Sequence, residues 1–306
     1  LLGDLFLLSI LIFWQIIDGR RFIILSNRYG NIGNQLYMTC FLVHWAKTYN
    51  VLTFNNGLIG NDHYFKNTKY NLFLNYPFKR SFFSFSKLKN IISKSIDRIS
   101  IRLPKDSTLQ KLLSLKKIEI KSDSKLQDIT NNILKNRILF LRDFIHDVSY
   151  SYFKDSFDSI SSYLHPLSKF DKTIREPINK LSDNEILIGV VIRHGDYRYW
   201  KNGKYFLETS IYHRWMIESE KLFSPKKVGF FIASDERQDL SIFSNQNIFF
   251  RSGNPVSNLY SLANCDYLIT VPSSFAGWAH FIGKVPCLVI NENITNITVN
   301  DFKNWI

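Results

Sequence analysis

Three groups of polar residues each follow an apolar run of strand length, and their types suit the binding of an anion. They are Arg193-His194-Gly195-Asp196, Ser234-Asp235-Glu236 and Ser273-Ser274. Arg193 offers a planar cationic fork that fits a phosphate or carboxylate, and Gly195 lets the main chain approach the bound group closely. Because parallel strands of an open α/β sheet deliver their carboxyl ends to one crevice, the sequence predicts an anion site there.

Each group also has a structural interpretation, which the sequence leaves open. Arg193 and Asp196 can form an ion pair at the strand end, where structural ion pairs also gather. Ser273 precedes a predicted helix and is a natural N-cap, although the same position directs N–H groups and the helix dipole at a phosphate.

A glycine-rich turn near the amino terminus is a second candidate site. Phe22–Ser26 reads as a short strand, Asn27–Asn34 (NRYGNIGN) as a turn and Gln35–Tyr49 as a helix. In this order the turn directs main-chain N–H groups at an anionic or polar ligand. The spacing Gly30-x-x-Gly33 lacks the G-x-G-x-x-G fingerprint, so a turn that only closes the connection is the alternative.

Strands and helices alternate along the second half of the chain, beginning with the apolar run Ile186–Ile192. Later strands are predicted at residues 228–233, 248–250, 267–271 and 287–290, and helices at 205–223, 239–244, 255–264 and 275–282. Such alternation predicts a doubly wound parallel sheet.

The first half of the chain is less regular. Its predicted elements are strands at Val51–Phe54 and Ile138–Leu141, basic helices at Ser86–Arg102 and Thr108–Leu115, and a helix over Phe153–Leu181 broken at Pro166 and Pro177. Turn-forming residues from Pro177 to Glu185 indicate a domain boundary. The predicted organisation is an apolar segment over residues 1–20, an acceptor-side domain over 21–181 and a donor domain over 182–306.

Composition restricts the class of protein. The 306 residues suffice for two domains, and 45% hydrophobic content argues against wholesale disorder. A net charge of +13 favours anionic partners, namely nucleotide phosphates, an acidic membrane surface or nucleic acid. Cys40, Cys265 and Cys287 lack metal-ligand spacing and are predicted to be buried free thiols in a reducing compartment.

The apolar segment Leu1–Ile17 is interrupted by Asp4 and Gln15 and is shorter than the roughly 20 apolar residues of a spanning helix. No basic leader or cleavage site marks it as a secretory signal. It is predicted to lie on a membrane or partner surface, with packing on the protein's own core as the alternative. The predicted localisation is cytoplasmic, with or without peripheral attachment to the inner face of a membrane.

The tetrapeptide Arg193-His194-Gly195-Asp196 resembles the signature of the histidine phosphatases, in which the His is a phosphorylated nucleophile and the Arg binds phosphate. That family carries the motif on its first strand, whereas here a domain's length of chain precedes it. A second catalytic His is also required, and only His213 and His280 lie downstream, on predicted helices.

A wider set of motifs resembles the α-1,2-fucosyltransferases and their α-1,6 and protein O-fucosyltransferase relatives. The set is Gly30-Asn31-Ile32-Gly33-Asn34-Gln35-Leu36, Ile192-Arg193-His194-Gly195-Asp196-Tyr197, Ser234-Asp235-Glu236, Leu259-Tyr260-x-Leu262-Ala263-x-Cys265-Asp266-Tyr267 and Pro272-Ser273-Ser274-Phe275-Ala276-x-Trp278-Ala279. The match in order and spacing covers most of the chain from Phe22 onward, so the set is more specific than any one motif.

The resemblance implies a GT-B fold, α/β with two Rossmann-like domains facing a cleft. It implies the transfer of L-fucose from GDP-fucose to a glycan hydroxyl, with inversion and without a metal or other cofactor. It implies that Arg193 binds the diphosphate and that Ser273, Ser274 and Phe275 contact the same group. Asp235 and Asp266 are implied to contact guanine and ribose. Gly33 and Asn34 are implied to lie near the donor or the acceptor. For the general base, Asp196 and His194 are candidates, and each is equally a positioning residue.

Three positions depart from the family pattern. Val191 replaces a His, His194 replaces a second Arg and Ala279 replaces a second Trp. Losing one fixed cation weakens phosphate binding unless His194 is protonated or a Lys compensates. The expected partners are a nucleotide sugar and an oligosaccharide or glycolipid acceptor in surface polysaccharide or lipopolysaccharide synthesis, without nucleic acid. A basic nucleic-acid-binding protein is the non-enzyme alternative.

Overall fold

A computed structural model describes residues 18–77, 86–103, 115–121, 124–146, 148–291 and 296–304. The apolar segment Leu1–Ile17 and nearly all of the predicted helix Thr108–Leu115 lie outside these residues. The chain divides into two compact units, Leu1–Pro166 and Leu167–Ile306. This boundary precedes the predicted one after Leu181, because the helix that follows Pro166 packs within the second unit. No helix in the described ranges is both long and apolar enough to cross a membrane.

The first unit contains a parallel sheet of four strands in the order β2-β1-β4-β3. Its elements are β1 (Phe22–Leu25), α1 (Ile32–Tyr49), β2 (Leu52–Asn55), α2 (Ser86–Arg102), β3 (Leu115–Glu119), α3 (Leu126–Lys135), β4 (Ile138–Arg142) and α4 (Phe157–Tyr163). Alternate side chains of a strand point to one face, where Phe22, Phe54 and Phe140 form a core with Ile96 and Ile99 of α2. This shared core holds the short strands in register.

Strand β3 and helix α3 are not predicted from the sequence. β3 reads LKKIE and lies at the edge of the sheet, beside β4. Charged side chains are common on edge strands because they discourage pairing with another chain. An edge strand of this kind therefore lacks the apolar run that marks a central strand.

Lys89 of α2 carries a buried ammonium group. Its side chain is 3% exposed, and Nζ lies 2.5 Å from Oδ2 of Asp62. It also donates to the carbonyl oxygens of Thr68 and Lys69 at 2.9 and 3.0 Å. These three acceptors match the three N–H donors of an ammonium group. The ion pair therefore fastens α2 to the loop over residues 60–69.

The second unit contains a parallel sheet of five strands in the order β7-β6-β5-β8-β9. Its elements are α5 (Asp171–Lys180), β5 (Ile186–Ile192), α6 (Thr209–Phe223), β6 (Val228–Ser234), β7 (Asn247–Ser252), α7 (Pro255–Leu262), β8 (Tyr267–Thr270), α8 (Ser274–Gly283) and β9 (Cys287–Val289). Central strand β5 is buried along its whole length, as expected of a parallel strand covered on both faces. The predicted parallel sheet is confirmed.

Pro177 lies inside α5 instead of breaking it, which corrects the prediction of a break there. A proline lacks the N–H that would bond to the carbonyl four residues earlier, here that of Thr173. This carbonyl accepts a hydrogen bond of 2.5 Å from Nη1 of Arg251. Nε and Nη2 of the same guanidinium donate to Asn258 and Ser261, at 2.6 Å each. Arg251 therefore supplies the missing donor, and the helix continues.

We expect Arg251→Met to lower the free energy of unfolding by about 2 kcal/mol, since hydrogen bonds to charged groups contribute about 1.5–3 kcal/mol. Met fills much of the same space but leaves the Thr173 carbonyl unpaired. Adding Pro177→Ala restores an N–H for that carbonyl, so the double variant should recover part of the loss. Urea unfolding measures both, and an equal loss with and without Pro177→Ala would contradict this role for Arg251.

Cys40, Cys265 and Cys287 are free and buried. Burial raises the pKa of all these thiols, that of Cys287 to about 12. Because the thiolate is the reactive form, we expect Ellman's reagent at pH 8 to modify the native protein far more slowly than the unfolded protein. Rapid modification of one thiol under native conditions would contradict this placement.

Candidate anion-binding site

The three predicted groups of polar residues follow neighbouring strands of the second unit. β5 lies between β6 and β8, and the two parallel ladders place the last residues of these strands side by side. Arg193, Asp235 and Ser273 therefore lie at one edge of the sheet, the edge that binds ligands in open α/β folds.

Arg193 is held from three directions. Nη2 donates to Oδ1 of Asp196 at 2.7 Å, and Nε lies 3.3 Å from Oδ2 of Asp235. The guanidinium also lies over the ring of Tyr197, with Cζ 4.8 Å from the centroid. The side chain is 13% exposed. Among the described residues, only Nη2 of this guanidinium donates a hydrogen bond; buried Nε faces Asp235 as an ion pair without hydrogen-bond geometry. One side of a fixed cationic fork thus remains able to bind an anion.

The ion pair between Arg193 and Asp196 is the structural alternative that the sequence leaves open, and it is present. The Asp196 side chain is 56% exposed, so solvent screens the pair and its contribution to stability is small. A phosphate group can therefore replace Asp196 at Nη2, while the less exposed Asp235 continues to hold Nε. The ion pair and the binding role are compatible.

His194 is a structural residue. It is 4% exposed, with Nε2 at 2.9 Å from the carbonyl oxygen of Leu207 and Nδ1 at 3.4 Å from the amide nitrogen of Gln238. A carbonyl only accepts, so Nε2 carries the hydrogen and Nδ1 accepts from Gln238. With both nitrogens engaged, His194 cannot serve as base or nucleophile. This arrangement contradicts its predicted catalytic role and the phosphatase interpretation.

Asp235 shapes the loop that follows β5. Its Oδ1 accepts from the main-chain N–H groups of His194 and Gly195, at 3.0 and 3.4 Å, and Oδ2 faces Arg193. A Cβ at Gly195 would lie 3.3 Å from the carboxylate, so the glycine permits this close approach. Both oxygens are engaged within the unit, which favours a positioning role over the predicted contact with the nucleotide.

Tyr197 links Arg193 to the start of α8. Its ring lies under the guanidinium, and its hydroxyl donates to the carbonyl of Pro272 at 2.7 Å. Burial raises the pKa of Tyr197, so the hydroxyl keeps its proton at neutral pH and remains a donor.

Ser273 is the N-cap of α8, and its Oγ accepts from the N–H of Phe275 at 3.2 Å. Ser274 and Phe275 form the first turn and are half-buried. The structural interpretation of Ser273 therefore holds. The first N–H groups of a helix have no intrahelical acceptor, so this turn can also bind an anion beside Arg193.

Asp266 lies at the opposite edge of the sheet. It precedes β8, and its Oδ2 accepts from the N–H of Leu187, near the start of β5, at 2.8 Å. The strand distance from Leu187 to Arg193 is about 20 Å, at roughly 3.3 Å per residue. This placement contradicts the prediction that Asp266 contacts the same nucleotide as Arg193.

Gly33 and Asn34 belong to the first unit, in the first turn of α1. Gly30 adopts a left-handed φ of 57°, and a Cβ there would lie 2.1 Å from Nδ2 of Asn34. Buried Gln35 donates to the carbonyl of Gly30 at 2.9 Å and accepts from Asn61 at 2.8 Å. Gly30 and Gln35 thus fix the turn, and ligand contact by Gly33 and Asn34 stays a prediction.

Tyr197 and Gln238 belong to the site but are not among its predicted residues. Gln238 joins His194 to Ser234 and Thr209, donating to Oγ of Ser234 at 3.1 Å and accepting from Thr209 at 2.8 Å. It lies in an irregular loop, where no pattern marks it. Tyr197 is the last residue of the motif that begins at Ile192, and this position is a signal that could have identified it.

The acidic and histidine side chains of the site are used in ion pairs and hydrogen bonds. Within the described part of the chain, no three His, Cys, Asp or Glu side chains lie close enough together to hold a metal ion. No metal-ligand set is assigned.

The sequence matches no family model, and no curated protein sequence is significantly similar to it. Solved structures resemble the chain. A mutant of FUT1 from Arabidopsis thaliana in complex with GDP is 13% identical and aligns with 90% of this chain and 72% of its own, with a TM-score of 0.57. The fucosyltransferase NodZ from Bradyrhizobium is 14% identical, with coverage of 88% and 95% and a TM-score of 0.50. NodZ alpha-1,6-fucosyltransferase soaked with GDP-fucose is 15% identical and aligns with 89% of this chain and 96% of its own, with a TM-score of 0.51.

At such low identity the likeness concerns the fold. It extends over most of the chain. The prediction of a GT-B-type α/β fold is therefore confirmed, and the chain has the fold of the solved GDP-fucose-dependent fucosyltransferases.

Proposed function

We propose that this protein is a glycosyltransferase that moves L-fucose from GDP-fucose to a glycan hydroxyl, with inversion and without a metal. The observation that carries the proposal is the site of the second unit, where Arg193 is fixed near the N-terminus of α8. The fold supports it, because solved proteins with this fold are fucosyltransferases, one in complex with GDP and one soaked with GDP-fucose. In this proposal the second unit binds the donor, and Gly33 and Asn34 of the first unit contact donor or acceptor.

The proposed acceptor is a surface polysaccharide or lipopolysaccharide unit, reached from the cytoplasmic face of a membrane. The α-1,2 linkage is proposed on the sequence motifs alone, since NodZ, with the same fold, is an α-1,6-fucosyltransferase.

The chemistry of transfer explains why a cationic site is needed. The bond from fucose C1 to the β-phosphate oxygen breaks, GDP leaves with the electron pair, and the acceptor oxygen bonds to C1. The transition state resembles an oxocarbenium ion, so charge develops on the diphosphate, where Arg193 Nη1 and the first N–H groups of α8 stabilise it. The acceptor hydroxyl loses its proton to a base, and Asp196 is the remaining candidate because His194 is buried.

A nucleotide screen tests the proposal. At a hundredfold excess over Kd, bound ligand adds about 2.7 kcal/mol to stability, so GDP and GDP-fucose should raise the unfolding midpoint by several degrees. GDP-mannose tests the choice of sugar, and UDP-sugars should give no shift. Absence of stabilisation by every guanine nucleotide would contradict the proposal.

The nucleic-acid alternative makes an opposite prediction in the same screen. A basic nucleic-acid-binding protein should bind a single-stranded oligonucleotide with strong salt dependence and ignore GDP. Stabilisation by GDP at constant ionic strength, without stabilisation by the oligonucleotide, favours the transferase.

A further inference from the structure

The loop that follows Arg198 presents an exposed aromatic and basic surface that has no role in the steps above. We call residues 199–205 the aromatic loop; it consists of Tyr199, Trp200, Lys201, Asn202, Gly203, Lys204 and Tyr205. Tyr199 is 83% exposed, the highest value for a large hydrophobic side chain among the described residues, and Trp200 is 44% exposed. Neighbouring aromatic side chains that remain in water usually mark a binding surface.

The aromatic loop is held in one shape. The ring of Trp200 contacts those of Tyr197 and Tyr205, with centroids 5.4 and 5.3 Å away, both in tilted arrangements. Residues 201–203 have consecutive left-handed φ angles of 48°, 58° and 74°. Two of these three residues carry a side chain, which makes this conformation unfavourable. Such backbone persists where surrounding contacts enforce it, and it is concentrated at ligand sites.

The aromatic loop also carries two positive charges without acidic partners. Nζ of Lys201 and of Lys204 lie over rings of the loop, 4.9 and 5.4 Å from the centroids. Among the described residues, no carboxylate lies within 4 Å of either ammonium. The acidic residues Asp196 and Glu236 form ion pairs with arginine side chains instead. The loop contains no Asp or Glu. Exposed rings and cations without acidic partners thus lie on one seven-residue loop.

Tyr197 connects this surface to the anion site. Arg193 lies over its ring at 4.8 Å, and Trp200 packs against it at 5.4 Å. The aromatic loop is therefore separated from the proposed diphosphate site by a single side chain. A group bound on the loop lies close to the donor, where an acceptor is needed.

We propose that the aromatic loop binds the acceptor, a glycan that carries negative charge. A sugar ring lies against Tyr199 and Trp200, because the C–H face of a pyranose is apolar and packs on aromatic rings. A carboxylate or phosphate of the same glycan faces Lys201 and Lys204. This inference rests on the proposed function and specifies the acceptor class of that site.

The test is a glycan array probed with wild-type protein at saturating GDP. The array carries neutral oligosaccharides and matched versions with a uronic acid or a phosphate. We expect the acidic glycans to bind at least tenfold more tightly than the neutral ones. Trp200→Ala and Tyr199→Ala should each lose at least tenfold in affinity, and Trp200→Phe should retain most of it. Lys201→Gln with Lys204→Gln should abolish the preference for acidic glycans. Comparing the glycans that carry a uronic acid with those that carry a phosphate shows which acidic group the loop binds.

Matched controls lie elsewhere on the second unit. Lys226→Gln with Lys227→Gln removes the same charge just before β6, at the opposite edge of the sheet, where both residues are exposed. Leu240→Ala removes another exposed apolar side chain, 41% exposed. Both should match wild type in glycan binding, and every variant should keep the thermal shift with GDP.

The outcomes separate this inference from the proposed function. Wild-type protein that binds GDP but prefers neutral glycans, or binds no glycan, overturns the inference alone. Unchanged affinity for acidic glycans in Trp200→Ala and Tyr199→Ala overturns it as well. Absence of GDP binding by wild-type protein overturns the proposed function itself.

Discussion

Arg193→Ala is expected to lower transferase turnover by at least 100-fold and to weaken GDP binding by at least tenfold. Removing one group that stabilises developing charge costs about 10²–10³ in kcat. Here the loss is compounded, because the carboxylates of Asp196 and Asp235, which now flank the guanidinium, would face the diphosphate without it. Arg193→Lys keeps the charge but not the planar fork, so it should lie between wild type and Arg193→Ala.

Turnover is measured as GDP released from GDP-fucose in the presence of an acceptor, and binding as the thermal shift with GDP. Arg214→Ala is the matched control, since Arg214 is exposed on α6 of the same unit. Both variants lose one positive charge, so a general electrostatic effect would weaken GDP binding equally in the two. Equal losses, or full activity of Arg193→Ala, would remove Arg193 from the site.

Lys89→Met is expected to lower the free energy of unfolding by about 4 kcal/mol. Breaking a buried ion pair costs about 3–5 kcal/mol, because the remaining charge is left without a partner in a poorly solvated environment. Asp62, whose side chain is 11% exposed, would be that charge. The carbonyl groups of Thr68 and Lys69 would also lose their shared donor.

Two variants decide whether the ion pair is responsible. Lys94→Met changes an exposed Lys on the same helix and should alter stability by no more than about 0.5 kcal/mol. Adding Asp62→Asn to Lys89→Met removes the unpaired charge, while the Asn oxygen still accepts from the N–H of Gly60, as Asp62 does at 3.1 Å. The double variant should therefore be more stable than Lys89→Met in urea unfolding. Equal effects of Lys89→Met and Lys94→Met would contradict the argument.

The central strands were predictable because buried parallel strands consist almost entirely of apolar residues. β1, β5 and β6 are continuous apolar runs, as expected of strands covered on both faces. β3 was not predictable from local pattern, because it is a charged edge strand. α3 does carry a helical signal, since its apolar residues Leu126, Ile129 and Ile133 recur at helical spacing. Its Asp, Thr and two Asn are weak helix formers, and they obscure that signal. Ile129 and Ile133 are buried in the first unit, so α3 depends on tertiary packing.

Pro177 shows how a local rule fails for a tertiary reason. A proline in a helix interior normally interrupts it. The compensating donor, Arg251, is 78 residues from the carbonyl that it satisfies. No short stretch of sequence contains both Thr173 and Arg251. Local rules therefore predict that the helix ends at Pro177, whereas in the structure it continues.

The motifs include Arg193, but the roles predicted for His194 and Asp266 do not fit their places in the fold. Successive side chains of an extended strand point to opposite sides, so His194 turns into the core when Arg193 faces the ligand. Asp266 precedes its strand, whereas ligands bind beyond the carboxyl ends of parallel strands. Both corrections follow from rules of strand geometry, and applying them at the sequence level would have left Arg193 and Ser273 as the supported pair.

The strand order within each unit determines when, during synthesis, the edges of its central strand can pair with neighbouring strands. β1 pairs with β2 and with β4, so one side of β1 has no partner until Ile138–Arg142 has left the ribosome. β5 likewise waits for Tyr267–Thr270. Throughout that interval an apolar strand with free N–H and C=O groups is available to other chains. We therefore expect this chain to depend on chaperones during synthesis, as a consequence of its connectivity.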